Sequence, residues 1–175
     1  ATRIDRVERF WSRFLLRELS HHVGVPLPGV RRLRGAAAEV AAFVGARGED
    51  VVFVDNATTG ANAVLRSLEL REGDEILVTD LLYGAIDRTA RYVARRSGAT
   101  VRTVELPARG RDPAGVVAAI DSALGARTRL LVVDHISAET ALVMPLAEIA
   151  ARCRARGVPV LADGAHAPGA IALDV

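Results

Sequence analysis

Apolar residues follow two rhythms along this chain. Ile4, Val7, Phe10, Trp11, Phe14 and Leu15 recur at helical spacing and predict an amphipathic helix over Arg3–Leu19. Ser20-His21-His22-Val23-Gly24 breaks that pattern. Adjacent histidines on a loop point apart and no third ligand is near, so this reads as an exposed linker. Pro28-Gly29 opens a second helix through Phe43, with Gly45 as its C-cap. From Val51 the rhythm changes, and short apolar runs alternate with helical periods. Strands are expected at Val51–Val54, Glu75–Thr79, Thr100–Leu106, Arg129–Asp134 and Val158–Ala162. Helices are expected from Asn56 through Leu68, Tyr83–Arg96, Pro113–Leu124 and Leu146–Arg156. Five strands alternating with helices argue an α/β fold, a mostly parallel sheet covered by helices. A helical segment, 1–45, precedes the α/β domain, 46–175.

Composition narrows the picture. The chain has 175 residues, half of them hydrophobic but only 4% aromatic, which suits helices on a buried parallel sheet. Net charge is +2 and the arginines are scattered among acids, with no basic block interleaved with aromatics, so nucleic acid is an unsuitable partner. The single Cys153 forbids an internal disulfide, and no apolar run reaches the length of a membrane span. A cytoplasmic protein is expected. All 23 basic residues counted as lysine or arginine are arginine. Arginine replaces surface lysine readily, but not where an amine must lose its proton.

The candidate chemistry lies at the C-terminal ends of the strands, where open α/β sheets place their ligands. That edge carries Asn56-Ala-Thr58-Thr59-Gly60, Asp80-Leu-Leu-Tyr83, Asp134-His-Ile-Ser137 and Asp163-Gly-Ala-His166. Each group has an ordinary role available: a threonine as helix N-cap, a packed tyrosine, a turn serine, a locally capping Asp134. Together they offer more. Hydroxyls and free amides at a helix N-terminus suit a phosphate, and an aromatic ring can stack on a flat heterocycle. A buried carboxylate can pair with a protonated ring nitrogen, and a histidine beside it can donate to a phenolate. Those are the needs of pyridoxal phosphate.

Val52-Phe-Val-Asp-Asn-Ala-Thr-Thr-Gly-Ala-Asn62, Gly73-Asp-Glu-Ile-Leu-Val-Thr-Asp80 with Tyr83-Gly84, Asp134-His-Ile-Ser137 and Leu161-Ala-Asp-Gly-Ala-His-Ala-Pro-Gly169 resemble the class V aminotransferases. These are pyridoxal-phosphate enzymes of fold type I, and the likeness is nearest to the isopenicillin N epimerase-like group. The resemblance implies the large domain of that fold, a three-layer sandwich, in incomplete form. It also implies that Thr58 and Thr59 hold the cofactor phosphate and that Tyr83 stacks on the ring. Asp163 would pair with the ring nitrogen, and His166 and Ser137 would approach the ring hydroxyl. The Schiff-base lysine, the arginine for the substrate carboxylate and the small C-terminal domain have no counterpart in these residues. A complementary chain supplying them, association with further copies, or a longer natural chain of which these residues are a part is therefore expected, with an amino acid as substrate. Cys153, on a helix face with Leu146, Ile149 and Ala150, is expected in the core.

Two other functions compete. A non-catalytic relative could bind a phosphate ligand or support an active paralogue. A metal hydrolase could use Asp134, His135, Asp163 and His166, but would leave Thr58, Thr59 and Tyr83 without a role. Nucleotide-binding loops are absent from the sequence.

Overall fold

Ile76, Leu77 and Val78 are consecutive and fully buried, and their alternation explains the architecture. In a strand, neighbours point to opposite faces. Ile76 and Val78 join a cluster with Leu130, Val132, Leu65, Ile86 and Ala90. Leu77 joins another with Leu131, Val133, Val116, Ile120, Ile149 and Cys153. A sheet buried on both faces lies between two helical layers, the three-layer α/β sandwich. Each such side chain contributes roughly 1.5–3 kcal/mol by leaving water.

The structure, a computed structural model, describes residues 28–107 and 111–175. The expected Arg3–Leu19 helix and the His21-His22 linker lie outside the described residues. The described chain forms two compact units, Asn56–Ala167, and the residues up to Asp55 with Pro168–Val175.

The first unit holds the sheet. Its strands are β1 (Glu75–Thr79), β2 (Thr100–Val104), β3 (Thr128–Asp134) and β4 (Val160–Asp163), all parallel, in the order β2-β1-β3-β4. Among the described residues the other unit holds helix α1 (Pro28–Val44); α2 (Ala57–Arg66), α3 (Gly84–Ser97), α4 (Pro113–Ala123) and α5 (Leu146–Ala155) belong to the sheet unit. Local chemistry sets their ends. Asp112 accepts a hydrogen bond from the Gly115 amide at 3.1 Å, with Pro113 in the first turn, and starts α4. Gly98, at φ 69°, ends α3 in the left-handed region that side chains resist. At the N-terminal ends of the strands, Arg129 pairs with Asp74 at 2.8 Å and Arg102 grips both oxygens of Glu75. That edge is held by ion pairs; the opposite edge carries the candidate site.

In the other unit, α1 ends at Gly45 (φ 77°), with the Ala46 amide donating to the Ala41 carbonyl at 2.8 Å. The expected buried strand at Val51–Val54 does not form. Val52, Phe53 and Val54 are 36%, 41% and 36% exposed and belong to no ladder. A strand takes its backbone hydrogen bonds from a neighbour, and no described strand lies beside this run; the Val51 carbonyl accepts from Arg34 instead, at 2.9 Å. The sheet thus has four strands, not five, among the described residues. No helix there is long and apolar enough to cross a membrane.

Candidate active site at the strand ends

β1 connects outward to β2 on one side, and β3 and β4 lie on the other. Where a parallel sheet reverses its order, the connections leaving the strands diverge and open a crevice at the C-terminal edge. Here that point falls between β1 and β3. One side chain bridges it: Asp134, the last residue of β3, accepts a hydrogen bond from the Tyr83 backbone amide through Oδ1 at 3.3 Å. Tyr83 is the N-cap residue of α3 and has no side-chain cap of its own. The residue is 47% exposed, so it is not a packed core aromatic.

Asp134 lies in register with Asp163 on β4, and the His135 amide donates to the Asp163 carbonyl at 2.8 Å. Asp134 is 3% exposed and its Oδ2 has no hydrogen-bond partner among the described residues. Burial pushes its carboxyl up to about 6. The Tyr83 amide opposes that rise, the Asp163 charge adds to it, and the Ala138 amide and His166 work against it. Burial also pushes the His135 imidazole below its usual range. Asp163 was expected to be the buried carboxylate; it is only half-buried, and its Oδ1 accepts from the Ala165 amide at 3.0 Å. The reason is position: β3 has a strand on each side, whereas β4 pairs only with β3 among the described residues. His166, two residues beyond Gly164, is exposed.

After β3 the chain makes a tight excursion. The Ser137 amide donates to Leu142 at 3.0 Å, and the Ala141 amide donates back to Ser137 at 2.9 Å. Ser137 is 1% exposed and its hydroxyl has no partner among the described residues. At the start of α2 the cap is Asn56, whose Oδ1 accepts from the Thr59 amide at 2.8 Å. Neither Thr58 nor Thr59 is therefore the N-cap, and both are half-buried in the first turn. The structure thus brings Tyr83, Asp163, His166 and the Ser137 loop around Asp134. It shows no hydrogen bond or ion pair joining Thr58 or Thr59 to that group among the described residues, although α2 packs against β4. Asp80 accepts from the Leu106 amide at 3.1 Å, at the end of β1 toward β2. No three His, Cys, Asp or Glu side chains among the described residues are grouped to hold a metal ion. In sequence Asp134 carried no signal that set it apart from Asp163; its interior place comes from the strand order.

Residues 29–175 match the family model for aminotransferase class-V. The chain belongs to that family. Similar curated proteins include the isopenicillin N epimerase of Streptomyces clavuligerus, 39% identical over 140 residues, covering 80% of this chain and 35% of that protein. A putative L-cysteine desulfhydrase of Oryza sativa subsp. japonica is 33% identical over 187 residues, covering 98% of this chain and 38% of that protein. Among solved structures, a C-DES variant with glycine covalently linked to its PLP cofactor has a TM-score of 0.75 and 31% identity. That match covers 98% of this class V chain and 44% of the other. The chain spans little more than a third of the length of these curated relatives. Cys153 is fully buried in α5 and burial raises its thiol pKa, so this class V chain offers no reactive thiol there.

Proposed function

We propose that this chain forms the cofactor-binding part of a pyridoxal-phosphate enzyme acting on an amino acid, of the isopenicillin N epimerase-like kind. What supports the reading most is the Tyr83–Asp134 hydrogen bond, which spans the point where the sheet reverses, with Asp163 in register beside Asp134. The groups present fit a flat, phosphorylated heterocycle. An exposed ring stands at Tyr83, a buried hydroxyl without a partner at Ser137, and two threonines at a helix N-terminus capped by another residue. Thr58 and Thr59 would bind the phosphate with the amides of α2, and Tyr83 would orient the ring. Asp163 would keep a proton on the ring nitrogen, while His166 and Ser137 would hydrogen-bond the ring hydroxyl. When bound, the cofactor supplies an electron sink for negative charge at the substrate Cα. Epimerisation, transamination and elimination all draw on that chemistry.

The sequence contains no lysine, so the amine that anchors the cofactor comes from outside these 175 residues. A complementary chain carrying it, with the arginine for the substrate carboxylate, is the arrangement we propose. The same absence favours a second reading, a non-catalytic subunit that binds the ligand or supports an active paralogue. Asp163→Asn in the assembled enzyme separates them. A neutral amide cannot hold the ring nitrogen protonated, and turnover is expected to fall at least ~100-fold. Near-normal turnover would reject the role of Asp163, and no visible cofactor band with any lysine-bearing partner would leave the non-catalytic reading.

A further inference from the structure

Tyr83 has a precise task in this site but little to hold it. Its side chain makes no hydrogen bond, ion pair or ring contact among the described residues, and nearly half of it is exposed. Among the described residues its hydrogen bonds run through the backbone alone. On the helix side its carbonyl accepts from the Ile86 and Asp87 amides at 2.9 and 3.1 Å. On the other side its amide meets Asp134, 51 residues further along the chain. The same carboxylate ends the strand that leads into the Ser137 loop and sits in register with Asp163.

We propose that Asp134 is a positioning residue for the coenzyme site, fixing the Tyr83 backbone, and through it the ring, relative to Asp163 and Ser137. The inference rests on the cofactor reading given above. Capping by a residue this distant differs from an ordinary N-cap, because it links two strand ends instead of closing one helix. Asp80 supplies the contrast: it also receives a distant amide, that of Leu106, but at the end of β1 toward β2, away from the reversal. The clamp needs only an oxygen acceptor. Asparagine keeps one and alanine does not.

The test uses the complete protein, with its lysine-bearing part, in four forms: wild type, Asp134→Ala, Asp134→Asn and Asp80→Ala. Three quantities are read: hydrogen exchange at the Tyr83 amide without cofactor, the dissociation constant of pyridoxal phosphate, and the circular dichroism induced in the cofactor band. Asp134→Ala should speed Tyr83 exchange and weaken cofactor binding, each about tenfold, as loss of one hydrogen bond implies, and should diminish the induced signal. Asp134→Asn should restore all three to near wild type, and Asp80→Ala should leave the induced signal unchanged. Unaltered Tyr83 protection and induced signal in folded Asp134→Ala overturn the assignment. So does an asparagine variant as impaired as alanine. If Asp134→Ala does not fold, Asp134→Asn decides: a folded variant that loses Tyr83 protection or the induced signal overturns the proposal, and one that keeps both upholds it. Wild type that binds no pyridoxal phosphate refutes the cofactor reading and this role with it. Wild type that binds, beside a folded Asp134→Ala with unaltered Tyr83 protection and induced signal, refutes the role of Asp134 alone.

Discussion

Replacing Asp134 by asparagine removes a charge that the fold buries while leaving an oxygen for the Tyr83 amide. The magnitude follows from the raised carboxyl, which moves from 3.8 to about 6 on folding. At about 1.36 kcal/mol per unit, the ionised group opposes folding by roughly 3 kcal/mol. The sign runs from acid to alkali. Below the unfolded value both states carry the proton and nothing is lost; as pH rises, the folded state holds its proton longer, and the full loss is present above about 6. About half of it has developed by pH 5, so roughly 1.4 kcal/mol appears between pH 5 and pH 8. Urea denaturation of wild type and Asp134→Asn at those two pH values isolates this group, because other titrating groups and the new amide's own contacts largely cancel. The variant should gain about 1.4 kcal/mol on wild type from pH 5 to pH 8, or about 3–6 °C in melting temperature for a chain of this size. A difference that does not change with pH, or that favours the variant more at pH 5, would refute the burial argument.

Ala141 sits at φ 55°, a left-handed conformation that a Cβ resists, in the loop closed by Ser137. Ala141→Gly should therefore stabilise by about 0.5–1 kcal/mol, the relief of strain exceeding the added chain entropy, as thermal denaturation would show. Glu75 is held below its usual range, first by the Arg102 guanidinium, with Thr128 also donating to it. Glu75→Gln should destabilise by about 1 kcal/mol at pH 7, since Arg102 is half-exposed. The difference should begin to shrink as the pH falls through the ordinary glutamate value and vanish only below the lowered value of the folded protein, where the wild-type carboxyl is protonated in both states. Cys153, buried with a raised thiol, should resist alkylation in the native protein and react once urea unfolds it, followed by mass spectrometry.

What could be read from sequence was whatever a short stretch decides by itself. β1 was bounded by Gly73-Asp74 and Asp80, and its limits came out as expected at Glu75 and Thr79. The α4 start announced itself as Asp112-Pro113. What failed depended on neighbours. The run Val51–Val54 asks for burial, but its residues do not say which strand would lie beside it. Asp134 and Asp163 look alike as strand-final acids, and only the order β2-β1-β3-β4 makes one an interior position and the other an edge. Asn56 was legible in principle, since Asn three residues before Thr59 is a standard capping distance, but two adjacent threonines drew the reading toward themselves. The family resemblance, carried by motifs at strand ends, was legible because those motifs are local.

The order of the strands also has a consequence at the ribosome. β1 is made early, yet its two neighbours begin 25 and 53 residues later, at Thr100 and Thr128. At about 5–20 residues per second, Ile76, Leu77 and Val78 emerge and wait several seconds before the second flank arrives. During that interval a stretch that is fully buried in the finished sheet stands bare, and a chaperone that favours bare apolar strands would find it there.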